Sequence, residues 1–298
     1  MRLYRTRLEA PLGNGTLRRR GGMRWWVLLL FGGYLGFYYL SHSQPAAFTG
    51  RKQVLDVSMA QEVALGVQSY REILEQSKVL TDPRVVAPIE RIADRLIAVA
   101  PALEQRMASA RGLSAATEWA AFSWQLEVID SDQVNAFCLP GGKIAVYTGL
   151  LPVAANDDAL AAVIGHEIAH ALLRHGAERM SQQKLLQIGS MAAGLSTSDL
   201  DPGQRQLVLA AIGAGAKFGI QLPFSREHES EADYLGLMLS AAACYAPDAA
   251  IGLWQRMGAS GGERPPEFTS THPSSETRIQ RLQGYMAEAE AVREAFCP

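Results

Sequence analysis

The stretch Gly165-His166-Glu167-Ile168-Ala169-His170 is an H-E-x-x-H motif within a run of helix-forming residues. Positions i and i+4 of a helix lie on the same face, so His166 and His170 can present two imidazoles to one metal ion. Zinc binds neutral imidazole readily and prefers four ligands. Glu167 lies beside them and can take a proton from a metal-bound water. The motif therefore predicts a zinc site with Glu167 as general base, against the alternative of a chance pattern on an amphipathic helix.

A third metal ligand is expected from the charged segment 226–233, which reads Arg-Glu-His-Glu-Ser-Glu-Ala-Asp. Glu229 and Asp233 are again four residues apart, so both would lie on one helix face. Glu229 would complete a set of two histidines and one glutamate and leave the fourth zinc position open for water. Asp233 would accept the second N–H of a ligand histidine and fix its tautomer. The alternative is that this pair belongs to the solvated face of a charged helix.

The neighbouring polar residues are predicted not to bind the metal. On a continuous helix, His175 is half a turn out of phase with His166, so it is expected to cap the helix end or to be solvated. Glu231 falls on a different helix face from the third ligand and is expected to be structural. Glu227 and His228 are expected to lie at the surface or to support the ligands from outside.

Two further blocks follow the H-E-x-x-H motif, and a fourth segment precedes it. These segments are Ser225-Arg226-Glu227-His228-Glu229-Ser230-Glu231-Ala232-Asp233-Tyr234-Leu235-Gly236, Ser270-Thr271-His272-Pro273-Ser274-Ser275-Glu276-Thr277-Arg278-Ile279 and Asn135-Ala136-Phe137-Cys138-Leu139-Pro140-Gly141-Gly142-Lys143-Ile144. Together they resemble the gluzincin family of CAAX prenyl proteases, in particular its short bacterial branch of BepA- and LoiP-like envelope proteases, to which a mitochondrial inner-membrane stress protease is related. The resemblance covers residues 58–283. It implies a zincin-like metalloprotease domain that holds one Zn²⁺ per chain.

The resemblance also implies catalytic roles for two residues of the last block. In relatives the matching histidine reaches the zinc and occupies the open position at rest, so His272 would be a removable fourth ligand that could also donate to the tetrahedral intermediate. Arg278 would stabilise the oxyanion or orient a ligand. From the residues alone, a loop histidine is usually solvated, and Arg278 fits a helix-surface arginine equally well.

The segment 135–146 is predicted to form a β-hairpin around a Pro-Gly-Gly turn. An exposed edge, at 135–139 or at 143–146, could pair with an extended polypeptide through main-chain hydrogen bonds. An ordinary core hairpin is the alternative for any one of these residues. The substrate-binding residues predicted on this basis are Asn135, Ala136, Phe137 and Cys138.

The N-terminus is strongly basic, with seven arginines and a single acid, Glu9, in the first 24 residues. The uncharged apolar run 25–40 follows and approaches the roughly 20 residues of a spanning helix. We therefore expect residues 1–22 to be cytoplasmic, 23–40 to be a single signal anchor in the inner membrane, and the catalytic domain to be periplasmic. The alternative is a signal peptide cleaved near Phe48, which would release the protein into the periplasm.

The composition argues against a nucleic-acid partner, because 28 basic residues nearly balance 30 acidic ones. Residues 41–57 are predicted to be a linker, and 58–298 a single zinc metalloprotease domain. Three cysteines, Cys138, Cys244 and Cys297, permit at most one internal disulfide, and the sequence leaves the pairing open.

The pattern of apolar residues predicts a mostly helical α+β fold with a small β-sheet beside the motif helix, preceded by the membrane anchor. The Ala/Gly-rich region 185–222 is expected to form buried helices around the active site, in which Gly213, Gly215 and Gly219 allow close packing. The motif helix is expected to begin at Asn156. Other helices are predicted at 58–78, 84–100, 226–243, 247–258 and 274–295, and a strand at 124–129.

These expectations combine into a membrane-anchored zinc endopeptidase that hydrolyses misfolded or unassembled envelope and membrane proteins, bound in extended form. Glu167 would accept the proton of the attacking water and pass it to the leaving amine. The alternative is a chaperone or assembly factor that binds clients and cleaves rarely or not at all.

Overall fold

The computed structural model describes residues 22–114, 119, 121–217, 221–259, 268, 272 and 276–297. Its helices are α1 (Trp25–His42), α2 (Met59–Glu75), α3 (Pro83–Ala110), α4 (Leu151–Ala154), α5 (Asp157–Leu172), α6 (His175–Ser196), α7 (Pro202–Ala216), α8 (Leu222–Ala242), α9 (Ala249–Ala259) and α10 (Glu276–Phe296). Its strands are β1 (Ser43–Pro45), β2 (Lys52–Val54), β3 (Val79–Leu80), β4 (Gln125–Ile129), β5 (Ala136–Leu139) and β6 (Lys143–Tyr147). This arrangement confirms the predicted mostly helical α+β class.

Helix α5 carries the H-E-x-x-H motif through the centre of the core, and most of its residues are buried. Asn156 caps its N-terminus as predicted, because its side-chain oxygen accepts a hydrogen bond from the backbone N–H of Ala159 at 2.8 Å. Asp157 and Asp158 add negative charge to the first turn, where the helix dipole favours it.

Helix α5 crosses α8 at a contact between two glycines. A Cβ atom on Gly236 would lie 2.7 Å from the backbone nitrogen of His166, and one on Gly165 would lie 3.0 Å from the carbonyl oxygen of Gly236. Any larger side chain at Gly236 would therefore push the helices apart. Glu229 and Asp233 lie about two turns and one turn before Gly236, so the close contact brings the acidic face of α8 against the motif.

The main sheet has the strand order β3-β4-β6-β5. Strand β6 is parallel to β4 and antiparallel to β5, so it is hydrogen-bonded on both sides. Gly141 and Gly142 form the predicted turn between β5 and β6, with φ angles of 84° and 80° that favour glycine. Among the described residues β5 is the last strand of this sheet. The alternative prediction of a substrate edge at 143–146 is therefore wrong, because β6 lies inside the sheet.

Helix α1 packs against α6 on one side and is exposed on the other. Val27 and Tyr38 are buried, and Phe31 contacts Gly189 of α6. Its exposed apolar side chains include Trp25, Trp26, Leu29, Leu30, Phe37 and Leu40. Within the described residues, we find no helix that combines the length and the apolar character needed to cross a membrane.

Residues 43–54 lie in the segment predicted to be a linker, but they form an antiparallel hairpin in which β1 pairs with β2. Phe48 at the tip of this hairpin is buried and stacks on Trp119, with ring centroids 6.4 Å apart. Arg51, three residues later, contacts α6 and α8. The N-terminal hairpin is thus packed into the domain, which its short strands and mixed polarity did not signal.

The prediction of buried helices in the region 185–222 is wrong for α7, since none of its residues, all of which are described, is buried. A Cβ atom on Gly213 or Gly215 would meet no heavy atom within 4 Å, so these glycines do not mediate close packing. Gly219 lies outside the described residues. The small side chains of an Ala/Gly-rich helix allow close packing, but they do not show whether another helix packs against it.

Cys244 and Cys297 form a disulfide with their Cα atoms 5.7 Å apart, and Cys138 is a free thiol. The disulfide joins the residues just beyond the C-terminal ends of α8 and α10, which are separated by 53 residues in the chain. Closing a loop of that length stabilises a fold by about 4 kcal/mol on the chain-entropy account. The pairing, which the sequence leaves open, follows from the packing of α10 along α8.

Candidate metal centre and active site

Two helices and one residue between α9 and α10 bring the candidate ligands together. His166 and His170 come from α5, Glu229 from α8, and His272 from the segment before α10. Each offers one ligand atom, and these four atoms all lie within 4.8 Å of one another. The structure therefore assembles the three residues predicted as metal ligands together with the histidine predicted as a removable fourth.

The spacing of these atoms fits one tetrahedral metal ion. The Nε2 atoms of His166 and His170 are 3.1 Å apart, and each lies 3.4 Å from an oxygen of Glu229. His272 Nδ1 lies 3.3 Å from His166 Nε2 and 2.9 Å from both Glu229 oxygens. The corners of a tetrahedron with bonds of about 2.0–2.1 Å are about 3.3–3.4 Å apart, so these separations are compatible with one ion that has the bond lengths of zinc.

Glu167 lies beside the four ligand atoms without joining them. Its side chain is buried, and its Oε1 has no hydrogen-bond partner among the described residues. His272 Nε2 is 3.5 Å from that oxygen. Burial raises the pKa of Glu167. A buried, unsatisfied carboxylate oxygen at this position is suited to accept a hydrogen bond and then a proton from a water at the metal.

His166 is held from behind by Asp233, whose Oδ1 lies 3.1 Å from His166 Nδ1. This is the position that the predicted tautomer-fixing role requires. Arg278 Nη2 donates to the same Asp233 oxygen at 2.5 Å, and its guanidinium lies 3.3 Å from the centre of the Trp254 ring. Arg278 Nη1 is also 3.3 Å from Glu229 Oε2. Arg278 is therefore a buried part of the site and not a helix-surface arginine.

The charges in this cluster stabilise one another. Burial and the charge of Arg278 lower the pKa of His166, but hydrogen bonds with Asp233 and Glu229 outweigh them and raise it to about 9. Burial opposes the ionisation of Glu229, but hydrogen bonds from three histidines overcome it and lower the pKa of Glu229. Burial likewise opposes the ionisation of Asp233, and the charge of Arg278 lowers the pKa of Asp233 overall. The ionised carboxylates of Glu229 and Asp233 therefore face the imidazoles. Such a group of side chains favours the binding of a divalent cation.

The prediction that His175 caps the helix end or is solvated is wrong, because its side chain is buried and its Nδ1 lies 2.8 Å from Nδ1 of His170. The chain turns between these residues. Arg174 adopts a left-handed backbone with φ of 57°, so α6 begins at His175 in a new direction and the periodicity of α5 no longer applies. Neither Gly nor Asn marks the turn, so the sequence gives no signal of it.

Further buried polar residues surround His175. Glu231 Oε2 lies 3.0 Å from His175 Nε2. His228 stacks on His175 with ring centroids 4.2 Å apart, and its Nε2 lies 2.9 Å from Glu178 Oε2. Glu231 is thus structural, and His228 is buried behind the ligands and not at the surface. Sequence reasoning did not single out Glu178, or Arg51, which contacts both glutamates, because their partners lie on different elements.

Burial is the main reason that the two neighbouring histidines are neutral. It lowers the pKa of His170 and the pKa of His175 well below the ordinary range, and neighbouring positive charge adds to the effect. A neutral imidazole has one protonated nitrogen and one free lone pair. His170 can therefore offer a lone pair to a metal without first losing a proton.

The residues predicted for substrate binding lie on or next to β5. Ala136 is buried, and the side-chain oxygen of Asn135 accepts the backbone N–H of Ala136 at 3.0 Å. Phe137 packs among aromatic rings. Strand β5 packs against α5, and burial together with the nearby charge of Glu167 raises the pKa of the Cys138 thiol. Ala136 is buried and the other three side chains are half-buried, so β5 would offer a substrate mainly its backbone.

Comparison with known proteins establishes the family. The profile of peptidase family M48 matches residues 100–286. This range includes Glu167 and the four residues that offer a ligand atom, His166, His170, Glu229 and His272. The chain belongs to peptidase family M48. It is 36% identical over 277 residues to the mitochondrial metalloendopeptidase OMA1 of Schizosaccharomyces pombe, covering 90% of this chain and 74% of that protein.

More distant M48 relatives include human and bacterial proteins. The chain is 30% identical over 287 residues to human metalloendopeptidase OMA1, covering 92% of this chain and 52% of that protein. It is 26% identical over 229 residues to the beta-barrel assembly-enhancing protease of Escherichia coli K12, covering 75% of this chain and 43% of that protein. These matches confirm the predicted family and its zinc metalloendopeptidase chemistry. M48 peptidases use zinc, and the four-residue cluster could bind one such ion.

Proposed function

We propose that this M48 peptidase is a zinc-dependent endopeptidase of protein quality control that hydrolyses misfolded or unassembled envelope and membrane proteins. In this proposal His166, His170 and Glu229 bind one Zn²⁺, and Glu167 is the general base. The observation that carries the proposal is the meeting of four ligand atoms within 4.8 Å beside the buried carboxylate of Glu167. The quality-control role is supported by the beta-barrel assembly-enhancing protease among the relatives.

Zinc bound here would polarise the scissile carbonyl and lower the pKa of the attacking water from about 16 to about 7. Glu167 takes a proton from that water while the water oxygen attacks the carbonyl carbon. It then passes this proton to the nitrogen of the leaving amine as the C–N bond breaks. Its raised pKa, caused by burial, suits Glu167 to hold the proton between the two steps. Asp233 accepts the N–H at Nδ1 of His166, which leaves Nε2 of that ring free for the metal.

His272 is proposed to act as a removable fourth ligand. Its Nδ1 lies 3.3 Å from His166 Nε2 and 2.9 Å from Glu229, near enough to offer a fourth ligand atom to a metal bound there. The attacking water and the substrate carbonyl would need that coordination position, so activity would require His272 to withdraw. Once withdrawn, His272 could donate to the tetrahedral intermediate. Arg278, which contacts Glu229 and Asp233, is proposed to orient the ligands, with stabilisation of the oxyanion as its alternative role.

Substrates are proposed to bind in extended form along β5, next to residues 135–138. An added strand is recognised through main-chain hydrogen bonds, so the site would accept many sequences provided that they are unfolded. This suits a peptidase that selects its substrates by their folding state.

The catalytic domain, residues 58–298, is proposed to lie in the periplasm and to be tethered to the inner membrane, with residues 1–22 in the cytoplasm and 23–40 as the anchor. The basic first 24 residues and the exposed apolar side chains of α1 support this topology. Cleavage near Phe48, with release into the periplasm, is the alternative. Fractionation separates them, since an anchored protein needs detergent for extraction and a cleaved one does not.

The second candidate function is a chaperone or assembly factor that binds clients and cleaves them rarely. The contact of His272 with His166 and Glu229 favours this candidate, because a site that His272 closes at rest would hold clients without hydrolysing them. Both candidates share β5 as the binding edge, and they differ in their need for Glu167.

The proposal is tested by digesting a fluorescently labelled unfolded protein with the purified full-length chain. Glu167→Gln should lower kcat by about 10²–10⁴-fold, and Glu227→Gln, which alters an exposed glutamate of the same charged segment, should not. Chelation should abolish cleavage, and added zinc should restore it. Glu167→Gln should also co-purify with intact clients. Equal cleavage by Glu167→Gln would refute the endopeptidase assignment, and full client rescue by this variant in cells would favour the chaperone.

A further inference from the structure

A buried ion cluster links the N-terminal hairpin to the metal centre. Its members are Arg51 from the hairpin, His175 and Glu178 from the start of α6, and His228 and Glu231 from α8. The four residues from α6 and α8 are at most 9% exposed, and the side chain of Arg51 is 16% exposed. Two carboxylates in such a place need hydrogen-bond donors for all four of their oxygens.

Arg51 supplies most of these donors from a single guanidinium. Its Nη1 and Nη2 donate to the two oxygens of Glu178 at 3.1 and 2.7 Å, and its Nε donates to Glu231 Oε2 at 2.7 Å. Thr49, at the tip of the same hairpin, donates to the other oxygen of Glu231. A lysine ammonium could not reproduce this fork, because it is a point charge without the planar arrangement of five donors.

From Glu231 the hydrogen bonds lead to the ligand His170. A carboxylate can only accept, so His175 Nε2 donates to Glu231 at 3.0 Å. The 2.8 Å contact between Nδ1 of His175 and Nδ1 of His170 has room for one proton. When Nε2 of His170 binds the metal, the proton of His170 lies on Nδ1 and is donated to His175. The ring of His170 is therefore oriented by residues that do not themselves offer a ligand atom to the metal.

We propose that Arg51 is a positioning residue of the metal centre, which acts through Glu231 and His175 to fix the ring of His170 for metal binding. This inference rests on the proposed function, since it requires a metal at His170. It makes the N-terminal hairpin part of the peptidase machinery, although Arg51 lies outside the M48 match at residues 100–286. The two ligand histidines are then supported from opposite ends of the chain, His166 by Asp233 and α10, and His170 by the hairpin.

The rival interpretation is that Arg51 only neutralises two buried carboxylates and so stabilises the fold. That role predicts a lower melting temperature for Arg51 variants and an unchanged zinc affinity in the molecules that remain folded. The positioning role predicts that Arg51 affects zinc affinity only through Glu231 and His175. The effect of Arg51 on zinc affinity should then disappear once His175 is removed, which a double-mutant cycle detects.

The test measures the zinc dissociation constant of the purified full-length protein by competition with a chromophoric chelator. Arg51→Gln and His175→Phe should each weaken zinc binding by about 10–100-fold, as loss of a partner behind a ligand does. Arg51→Lys, which keeps the charge and loses the fork, should give a smaller loss. The double variant should bind zinc no more weakly than His175→Phe alone. Arg95→Gln is the control, because Arg95 bonds the carbonyl oxygen of Ala243 beyond the far end of α8.

A second readout is the visible absorption spectrum of the Co²⁺-substituted protein, which reports the geometry of the ligands. Arg51→Gln should alter that spectrum, and Arg95→Gln should not. If wild type binds one zinc and Arg51→Gln matches it in affinity and cobalt spectrum, the positioning role is refuted while the proposed function stands. A wild type that binds no zinc refutes both. If Arg51→Gln does not fold, Arg51→Lys and His175→Phe decide the matter, and wild-type zinc affinity in both overturns the inference.

Discussion

The crossing of α5 and α8 and the outer layer formed by α1, α6 and α7 use small residues with opposite results. At the crossing, a Cβ atom on Gly236 would lie 2.7 Å from the backbone of His166. In the outer layer, a Cβ atom on Gly213 or Gly194 would meet nothing within 4 Å, and Leu29 is 76% exposed. At the crossing, glycine lets the backbones of α5 and α8 touch, and this contact brings Glu229 to the two histidines. At the open positions Gly194 and Gly213 of the outer layer, it only lowers helix propensity.

The charges of the two regions differ in the same way. At the crossing, Arg278 and Asp233 are each about 4% exposed and face the ligand His166. In the outer layer, Arg24 and Asp199 form an ion pair at 2.8 Å, with side chains 43% and 42% exposed. Water screens the second pair and not the first, so only the first should matter for stability and for the metal.

The largest effect is expected from Arg278→Leu, which removes one partner of the buried pair. It should lower the free energy of unfolding by about 3–5 kcal/mol, because Asp233 is left buried without its guanidinium. Denaturant unfolding measures this change. Arg24→Leu is the matched variant from the outer layer and should leave the unfolding midpoint unchanged. An equal loss of unfolding free energy in both variants would show that the buried ion pair contributes no more to stability than the exposed one.

Gly236→Ala tests the close backbone contact. The added methyl group must push α8 away from α5, which should destabilise the protein by up to about 3 kcal/mol and weaken zinc binding, because Glu229 moves with α8. Gly213→Ala should instead stabilise the protein by up to about 1 kcal/mol through helix propensity. Thermal melts and zinc content measure both. Normal zinc content in Gly236→Ala would mean that the contact does not set the ligand distance.

The free energy of unfolding of the metal-free protein should depend on pH through His166, which lies at the crossing. Its pKa is about 9 in the folded protein and about 6.5 when unfolded. Its contribution is therefore complete below pH 6.5 and is lost as the pH rises toward 9. Between pH 7 and pH 8.5 the free energy of unfolding should fall by about 1.5 kcal/mol. His170 and His175 contribute little in this window, because their pKa values are lowered in the folded protein and an unfolded histidine is already mostly neutral at pH 7.

Denaturant titrations of the chelator-treated protein at the two pH values test this expectation. The fall in the free energy of unfolding between the two pH values should be absent from His166→Gln and unchanged in Gly213→Ala. A slope of the opposite sign in the wild type would mean that Asp233 and Glu229 do not hold His166 protonated.

The smallest effect is expected for Leu29→Ser in the outer layer. The side chain is already exposed, so the free energy of unfolding should change by less than about 0.5 kcal/mol. Association with vesicles of phosphatidylglycerol and phosphatidylethanolamine should fall, if α1 attaches the protein to the membrane. Ile168→Ser at the crossing is the matched change at a fully buried position and should destabilise strongly. A large loss of stability in Leu29→Ser would show that the outer layer is packed in solution.

The sequence predicts those parts of the site whose geometry is local. His166 with His170, and Glu229 with Asp233, are pairs four residues apart, so helix periodicity alone places each pair on one face. The cap at Asn156 is local in the same sense. That these two helices cross at the glycines is a tertiary fact, and only the order of the motifs and their resemblance to a family pointed to it.

What the sequence does not predict depends on turns or on distant contacts. His175 reaches His170 because Arg174 turns the chain, and neither Gly nor Asn marks that turn. Arg51 is 127 residues from Glu178, so no pattern connects them. The pairing of Cys244 with Cys297 depends on how α10 packs along α8. In the outer layer, composition favoured helices but could not show that α7 lacks a covering partner.

The most direct test of the account is the zinc content of three purified proteins after dialysis against a weak chelator. The central claim is that α5 and α8 build one zinc site from His166, His170 and Glu229, with Glu167 outside the ligand set. Wild type and Glu167→Gln should each retain one zinc per chain, and Glu229→Ala should retain none, because the carboxylate ligand is lost. One zinc per chain in Glu229→Ala, or its loss from Glu167→Gln, would contradict the claim.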